Sequence, residues 1–179
     1  MAAINGVQED IAQGRDMKET PYLEDRDDVL SRFSDIPFLQ ALEQTEQMRV
    51  LHLSKLRKYK AGEEITPEGA YDCWLYVLAR GKVQIVKDEE VLATLDQAGD
   101  TFGELAIIDG EARSASVRAV EPTICLAIDA SFIERLPEEQ KTAFYAVFYR
   151  SLAEILARRL RITNQELVKA HQALDRHKT

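Results

Sequence analysis

Glycine and proline are distributed unevenly along the chain, and this distribution constrains the fold more than any other feature. Six of the eight glycines lie between Gly62 and Gly110, whereas the residues from Glu138 to about Arg176 include neither glycine nor proline. Frequent glycines favour short strands joined by turns, and an uninterrupted run of good helix formers favours one long helix. The sequence therefore predicts an α+β fold, in which a β-rich middle is followed by a helix far longer than the average of about 11–12 residues.

The glycine-rich middle breaks into pieces that have the β-branched and aromatic content of strands. The predicted strands are Cys73–Ala79, Lys82–Lys87, Val91–Leu95, Ala115–Ala119 and Ile124–Ile128. Short antiparallel strands at close spacing are typical of a roll, a barrel or a sandwich. Cys73 and Cys125 belong to these apolar runs, so we expect both thiols to be buried.

Composition divides the chain into four predicted segments. Residues 1–20 are polar and loosely ordered, and residues 21–55 form N-terminal helices. Residues 56–130 form the β-rich unit, and residues 131–179 form a hinge and the long helix. Thr20 and Pro21 supply the N-cap and first residue of a helix that we expect to reach about Phe33. The hinge is expected near Ser131–Pro137, where the pattern changes from strand to helix.

The long helix carries a heptad repeat, which is the pattern of a coiled coil. The a positions are Leu160, Leu167 and Leu174, and the d positions are Leu156, Thr163 and Ala170. These six residues form the seam of the predicted coiled coil. A small β unit cannot bury the far end of so long a helix, so we expect pairing with the same helix of a second chain in a homodimer. The alternative is packing against the parent domain alone.

Charge and composition argue against several functional classes. The net charge is −8, whereas nucleic-acid binders usually present basic surfaces, so we expect no nucleic-acid partner. No apolar run approaches the roughly 20 residues that cross a bilayer, and the N-terminus does not resemble a secretory signal. We therefore expect a cytoplasmic protein without membrane insertion. The histidines lack metal-ligand spacing and no catalytic pair stands out, so we expect neither a metal site nor an enzyme.

One stretch, Thr101–Ala119, has the residue types of a site for a ribose joined to a phosphate. Gly103 allows close backbone approach, and a short helical turn after it would present free N–H groups to an anion. Arg113 supplies a guanidinium for phosphate oxygens, and Ser114 adds a hydroxyl donor. Glu104 would repel a phosphate, but its carboxylate can accept a hydrogen bond from a neighbouring sugar hydroxyl.

The same stretch resembles the phosphate-binding cassette of the cyclic nucleotide-binding domain family. The matching residues are Phe102-Gly103-Glu104-Leu105-Ala106 and Arg113-Ser114-Ala115-Ser116-Val117, and upstream Tyr59–Ile65 and Gly69–Leu78 resemble the family's opening strands. The resemblance implies an eight-stranded antiparallel β-roll of the jelly-roll type, with flanking helices. It also implies that Glu104 holds the ribose 2′-hydroxyl, and that Arg113 with nearby amides holds the cyclic phosphate. One departure is Ala112, where many members have proline.

The C-terminal half is similar to one branch of this family, the bacterial catabolite activator proteins, through Arg113–Ala119 and Leu156–Asn164. In that branch a Thr-Ser pair on the dimer helix reaches the adenine, and the matching positions here are Thr163 and Asn164. The branch continues into a DNA-binding domain, whereas this chain ends at Thr179, so we expect regulation without direct DNA binding.

The resemblance predicts eleven ligand-binding residues, namely Phe102, Gly103, Glu104, Leu105, Ala106, Arg113, Ser114, Ala115, Val117, Thr163 and Asn164. Two interpretations of how the nucleotide base is bound stay open. Thr163 is either a base contact or a small polar residue tolerated in the seam. In the second case the base is capped by aromatic residues such as Tyr145, Phe148 or Tyr149.

These observations predict a cyclic nucleotide sensor that has no catalytic machinery and regulates a separate effector protein. The expected ligand is cAMP, although Ser114 suits cGMP as well, and no other cofactor is expected. The competing hypothesis is a structural or docking module with an unused pocket, whose long helix is the working part.

Overall fold

In the computed structural model, the described part of the chain forms eight antiparallel strands in two four-stranded sheets. The structure describes residues 19–20, 23, 37–40, 43–136 and 138–176. The strands are β1 (Ser54–Tyr59), β2 (Glu64–Thr66), β3 (Trp74–Arg80), β4 (Val83–Lys87), β5 (Glu90–Leu95), β6 (Thr101–Phe102), β7 (Ser116–Ala119) and β8 (Thr123–Asp129). One sheet has the order β1-β8-β3-β6 and the other has the order β2-β7-β4-β5. The predicted α+β roll with eight antiparallel strands is confirmed.

Helices precede and follow the eight strands, and one short helix lies between β6 and β7. They are α1 (Pro37–Gln40), α2 (Gln44–His52), α3 (Glu104–Asp109), a 3₁₀ helix (Ala130–Arg135) and α4 (Glu138–Arg176). The last helix has 39 residues, which at 1.5 Å per residue is about 58 Å. The long C-terminal helix is thus present as predicted, and the 3₁₀ helix occupies the predicted hinge. The helix predicted from Pro21 to about Phe33 lies outside the described residues, apart from Leu23.

Alternate side chains of β3 are buried in two different clusters, because successive residues of a strand point to opposite faces. Leu75 and Val77 pack towards the helices, and Tyr76 and Leu78 fill the space between the two sheets. Three side chains of α4 cover the first of these clusters, namely Phe144, Phe148 and Leu152. This packing fixes the first half of α4 on the roll.

The second half of α4 extends away from the roll. From Leu160 to Leu174 every side chain is exposed, and the heptad leucines at 160, 167 and 174 are between 53% and 62% accessible. The roll of the same chain therefore leaves the seam uncovered from Leu160 onward. None of the described helices combines the length and the apolar character needed to cross a membrane.

The two cysteines lie in different environments. Cys125 is fully buried between the sheets, and this burial raises the pKa of its thiol to about 12, so it acts as a packing group at neutral pH. The prediction that Cys73 is also buried is wrong, because Cys73 is exposed. Strand β3 begins one residue later, at Trp74, so Cys73 belongs to the preceding loop rather than to the sheet.

A short N-terminal piece lies along β1. Thr20 N donates to Leu56 O at 2.9 Å, and Leu23 N donates to Ser54 O at 3.0 Å. Glu19 forms ion pairs with Lys55 and Arg57. The rest of the predicted segment 1–20 lies outside the described residues.

Candidate functional site

The turn between β6 and α3 brings the predicted cassette against the loop before β3. Gly103, which precedes α3, has a φ of +83°, a conformation that costs side-chain-bearing residues about 1–2 kcal/mol. A Cβ at this position would overlap Arg113 Nη1 and lie 3.1 Å from the carbonyl oxygen of Trp74. Both the backbone angle and the space therefore require glycine here.

Arg113 is 4% exposed, and its guanidinium is held on several sides. Nη1 donates to Gly103 O at 2.7 Å and Nη2 donates to Trp74 O at 2.6 Å. Asp72 completes the set, since its carboxylate accepts from Nε at 3.2 Å and also from Nη2. Of the five N–H donors in a guanidinium, one on Nη1 has no partner among the described residues, so it is free to bind an oxygen of a ligand.

Backbone bonds hold the end of the cassette in register with the same loop. Gly69 N donates to Arg113 O at 2.9 Å, and Arg113 N donates to Ala70 O at 2.8 Å. Lys87 Nζ donates to the carbonyl oxygen of Ser114 at 2.9 Å. Arg113 is therefore fixed through its main chain as well as through its side chain.

Glu104, the first residue of α3, is 2% exposed and faces a cation from α4. Arg159 Nη1 donates to its Oε1 at 2.5 Å, and Arg159 Nη2 donates to the carbonyl oxygen of Thr101. A buried carboxylate needs such a partner, because an unpaired buried charge is strongly destabilising. The pair joins the cassette directly to the long helix.

Tyr76 is buried between the two sheets, close to the Arg113 guanidinium. Its ring stacks on Phe102 with centroids 5.1 Å apart, and Arg113 Cζ lies 5.9 Å from the ring centroid. Burial raises the pKa of the Tyr76 phenol, so the group stays neutral. Its oxygen accepts a hydrogen bond of 2.8 Å from Arg57 Nη1.

Arg113, Glu104 and Arg159 line a cavity of about 70 Å³. Its lining comprises Thr66, Ile85, Phe102, Gly103, Glu104, Leu105, Ala106, Arg113, Ser114, Ala115, Val117 and Arg159. Nine of the eleven residues predicted to bind a ligand are thus brought together around one cavity. In the described residues there is no group of three or more His, Cys, Asp or Glu side chains that could hold a metal ion.

The two other predicted residues, Thr163 and Asn164, do not line this cavity. Both are exposed on the free half of α4, one helical turn beyond Arg159. The aromatic alternatives, namely Tyr145, Phe148 and Tyr149, do not line it either. Phe148 is fully buried on the face of α4 that packs on the roll.

Three residues of the site were not predicted from the sequence, namely Asp72, Arg159 and Thr66. Asp72 and Arg113 are 41 residues apart, and Glu104 and Arg159 are 55 residues apart. Neither pairing leaves a local pattern, because each depends on the packing of distant elements. Arg159 belongs to the basic run Arg158–Arg161, which resembles an ordinary solvated helix face.

Comparison with known proteins identifies the family. Residues 56–140 match the family model described as "Cyclic nucleotide-binding domain". The chain contains a cyclic nucleotide-binding domain. The matched residues cover most of the roll and the whole cassette, and such domains are regulatory rather than catalytic.

The cyclic nucleotide-binding domain of this chain has relatives in proteins of different architecture. The chain is 34% identical to the "Cyclic AMP receptor protein" of Thermus thermophilus over 140 aligned residues. The alignment covers 73% of this chain and 60% of that protein. It is 28% identical to a "cGMP-dependent protein kinase" of Eimeria tenella over 138 aligned residues, and this alignment covers 75% of the chain and 13% of the kinase. The chain thus spans less than two thirds of the length of either relative.

Solved structures agree with this assignment. The crystal structure of Thermus thermophilus Catabolite Activator Protein matches with a TM-score of 0.58 and 30% identity, over 75% of this chain and 63% of that one. A cyclic nucleotide-binding domain from Methylobacillus flagellatus matches with a TM-score of 0.72 and 19% identity, over 86% and 89% of the two chains. The predicted similarity to the catabolite activator branch is confirmed.

Gly103→Ala tests the packing of Arg113, and Gly62→Ala is its matched control. The two glycines have φ values of +83° and +82°, but a Cβ at Gly62 would meet nothing within 4 Å. We expect Gly62→Ala to lower the free energy of unfolding by about 1–2 kcal/mol through backbone strain. Gly103→Ala should lower it by a further 1–3 kcal/mol or so, because it overpacks the site. Urea denaturation measures both, and equal losses would contradict the observed contact.

Proposed function

We propose that this chain is a cyclic nucleotide sensor, with cAMP as its ligand, that regulates an effector protein and catalyses no reaction itself. One observation carries the proposal. Arg113 and Glu104 are both at least 96% buried on the same small cavity. A guanidinium suits a phosphate, and a carboxylate beside it suits a sugar hydroxyl rather than a second anion. A ribose 3′,5′-cyclic phosphate carries both groups at adjacent positions.

The backbone of the cassette adds donors to the phosphate side. The first N–H groups of a helix have no partner within the helix, and those of α3 lie next to Gly103 and Arg113. Ser114 and Ala115 line the same cavity, so a hydroxyl and a main-chain amide are also near. We assign the phosphate to Arg113, Ser114 and Ala115, and the ribose 2′-hydroxyl to Glu104.

The choice of cAMP follows the relative that shares the higher sequence identity of the two, 34% against 28%, and that is named a cyclic AMP receptor protein. The alternative is cGMP, the nucleotide in the name of the kinase relative. Ser114 is compatible with both, because a hydroxyl both donates and accepts hydrogen bonds.

Ligand binding and the position of α4 are coupled in this proposal through Arg159. A ribose hydroxyl and Arg159 compete for the same Glu104 carboxylate, so a bound nucleotide changes the contact that joins the cassette to the helix. Arg159 also lines a second cavity of about 150 Å³ between α4 and the loop after β5, into which the site would widen if Arg159 moved. A ligand that binds the two arrangements with different affinity shifts their populations.

We further propose that two chains pair through the exposed half of α4. The heptad positions Leu160, Leu167 and Leu174 form one stripe on this half, and the roll of the same chain does not cover it. In such a dimer Thr163 and Asn164 would contact the base, and the helices would carry the signal to the effector. The proposed location is the cytoplasm. The competing function is a docking module whose pocket is unused, and nucleotide titration distinguishes the two.

Replacement of Arg113 tests the nucleotide site. Arg113→Ala should weaken cAMP binding by about 2–5 kcal/mol, since the phosphate would lose a buried charged partner. This corresponds to roughly 30-fold or more in Kd. Isothermal titration calorimetry measures the loss, and thermal unfolding checks that the variant is folded.

Arg118→Ala is the matched control for Arg113→Ala. Arg118 lies on β7 five residues further on, but its side chain is 55% exposed and outside the cavity, so its removal should leave affinity unchanged. If folded Arg113→Ala binds within about threefold of the wild type, Arg113 does not hold the phosphate and the assignment fails.

Charge substitutions along α4 test the dimer. Leu160→Asp combined with Leu167→Asp should yield monomers, because charges in the seam are desolvated without partners. Gln165→Asp combined with Gln172→Asp adds the same charge to the same helix outside the seam, and should leave the dimer intact. Size-exclusion chromatography with light scattering measures the mass of each. A monomeric wild type, or a dimeric leucine variant, would refute this interface.

A further inference from the structure

Thr66 is an unexplained polar residue in the wall of the cavity. It ends strand β2, is 1% exposed, and lines the same cavity as Glu104 and Arg113. Its hydroxyl oxygen has no hydrogen-bond partner among the residues that the structure describes. Buried polar groups in folded proteins are nearly always paired, so this exception requires a cause.

An irregularity in the strand places Thr66 in this wall. The pairing of β2 with β7 shifts register between Glu64 and Thr66, and such bulges change the direction of a side chain. As a result Ile65 and Thr66 are both buried, although they are consecutive. Thr66 is opposite Val117 on β7, and Val117 is in turn opposite Ile85 on β4. These three residues form a row across one sheet, and all three line the cavity.

Packing alone does not account for a threonine at this position. Valine has nearly the same shape and would fill the same space without burying an unpaired hydroxyl, which is costly. The two neighbours in the row, Val117 and Ile85, are aliphatic. The hydroxyl therefore has a use only if something inside the cavity bonds to it.

We infer that Thr66 is a ligand-binding residue, whose hydroxyl forms a hydrogen bond with the sugar–phosphate part of the bound cyclic nucleotide. The inference rests on the proposed function and extends it by one ligand-binding residue. Thr66 shares its cavity with the groups assigned to ribose and phosphate, so the contact belongs to the part that cAMP and cGMP have in common. A rotation about χ1 exchanges the hydroxyl and methyl between staggered positions, so the bond can form without movement of β2.

The test compares Thr66→Val, which removes the hydroxyl and keeps the shape, with Thr66→Ser, which keeps the hydroxyl. Thr66→Val should bind both cAMP and cGMP about three- to tenfold more weakly, the usual effect of one neutral hydrogen bond. Without nucleotide the same variant should be more stable, with a midpoint of thermal unfolding about 2–4 °C higher. Thr66→Ser should retain the affinity of the wild type.

Thr123→Val is the matched control. Thr123 is also 1% exposed, but its hydroxyl donates to the carbonyl oxygen of Glu121 at 2.8 Å and does not line the cavity. Its removal should lower the unfolding midpoint and leave nucleotide affinity unchanged. A gain in stability combined with a loss of affinity is therefore specific to a hydroxyl that serves the ligand.

The possible outcomes separate this inference from the proposed function. If the wild type binds nucleotide and Thr66→Val binds it equally well, Thr66 is not a ligand contact and the proposed function stands. If the loss affects only one nucleotide, the contact is at the base and the sugar–phosphate assignment is wrong. If the wild type binds neither nucleotide, the proposed function fails, and the role of Thr66 fails with it.

Discussion

The buried guanidinium of Arg113 joins the turn before α3 to the segment that leads into β3, which is about 40 residues away from Arg113 in the sequence. It bonds to the carbonyl oxygen of Gly103 at one end of the cassette, to Asp72 on the loop before β3, and to the carbonyl oxygen of Trp74, the first residue of β3. A buried charge is tolerated only when it is well paired, so these partners must stay in place as long as the arginine does. The position of α3 and the path of the chain into β7 both depend on this one group.

A second ion pair, which is partly buried, extends the site to the long helix. Glu104 belongs to α3 and Arg159 to α4, so the cassette and the helix are linked by a bond that a ribose hydroxyl can disturb. The first half of α4 is fixed on the roll by Phe144, Phe148 and Leu152, whereas the second half is free of it. Arg159 lies close to this boundary, where a small change in the pocket has the greatest effect on the exposed half of the helix.

Local patterns in the sequence predicted most of the fold and most of the site, for physical reasons that differ between the two. The glycine spacing predicted a unit of short antiparallel strands, and the absence of helix breakers after Pro137 predicted α4, because both features act on the nearby backbone. The family resemblance of the cassette then implied that the strands form a roll. The cassette motif predicted nine cavity residues, because Gly103 and the short helix after it fix the geometry of a contiguous segment. Thr163 and Asn164 stay predictions, since their proposed role needs a second chain.

What the sequence did not predict depends on contacts between distant elements or on a strand boundary. Asp72 and Arg159 acquire their roles only when the roll and the long helix pack around the cassette. Thr66 is buried beside Ile65 because β2 is irregular, and strict alternation would have placed it on the other face. Cys73 was expected to be buried, but β3 begins just after it. A single-residue error in a boundary is enough to reverse such an assignment.

The most direct test of this account is calorimetric titration of the full chain with cAMP and cGMP, with 5′-AMP as a non-cyclic control. 5′-AMP retains the base, the ribose and a phosphate, but it lacks the ring that holds the phosphate next to the 2′-hydroxyl. The account predicts saturable binding of cAMP at one site per chain, with 5′-AMP too weak to saturate over the same concentrations. Absence of saturable binding by both cyclic nucleotides, or binding of 5′-AMP as tight as that of cAMP, would contradict it.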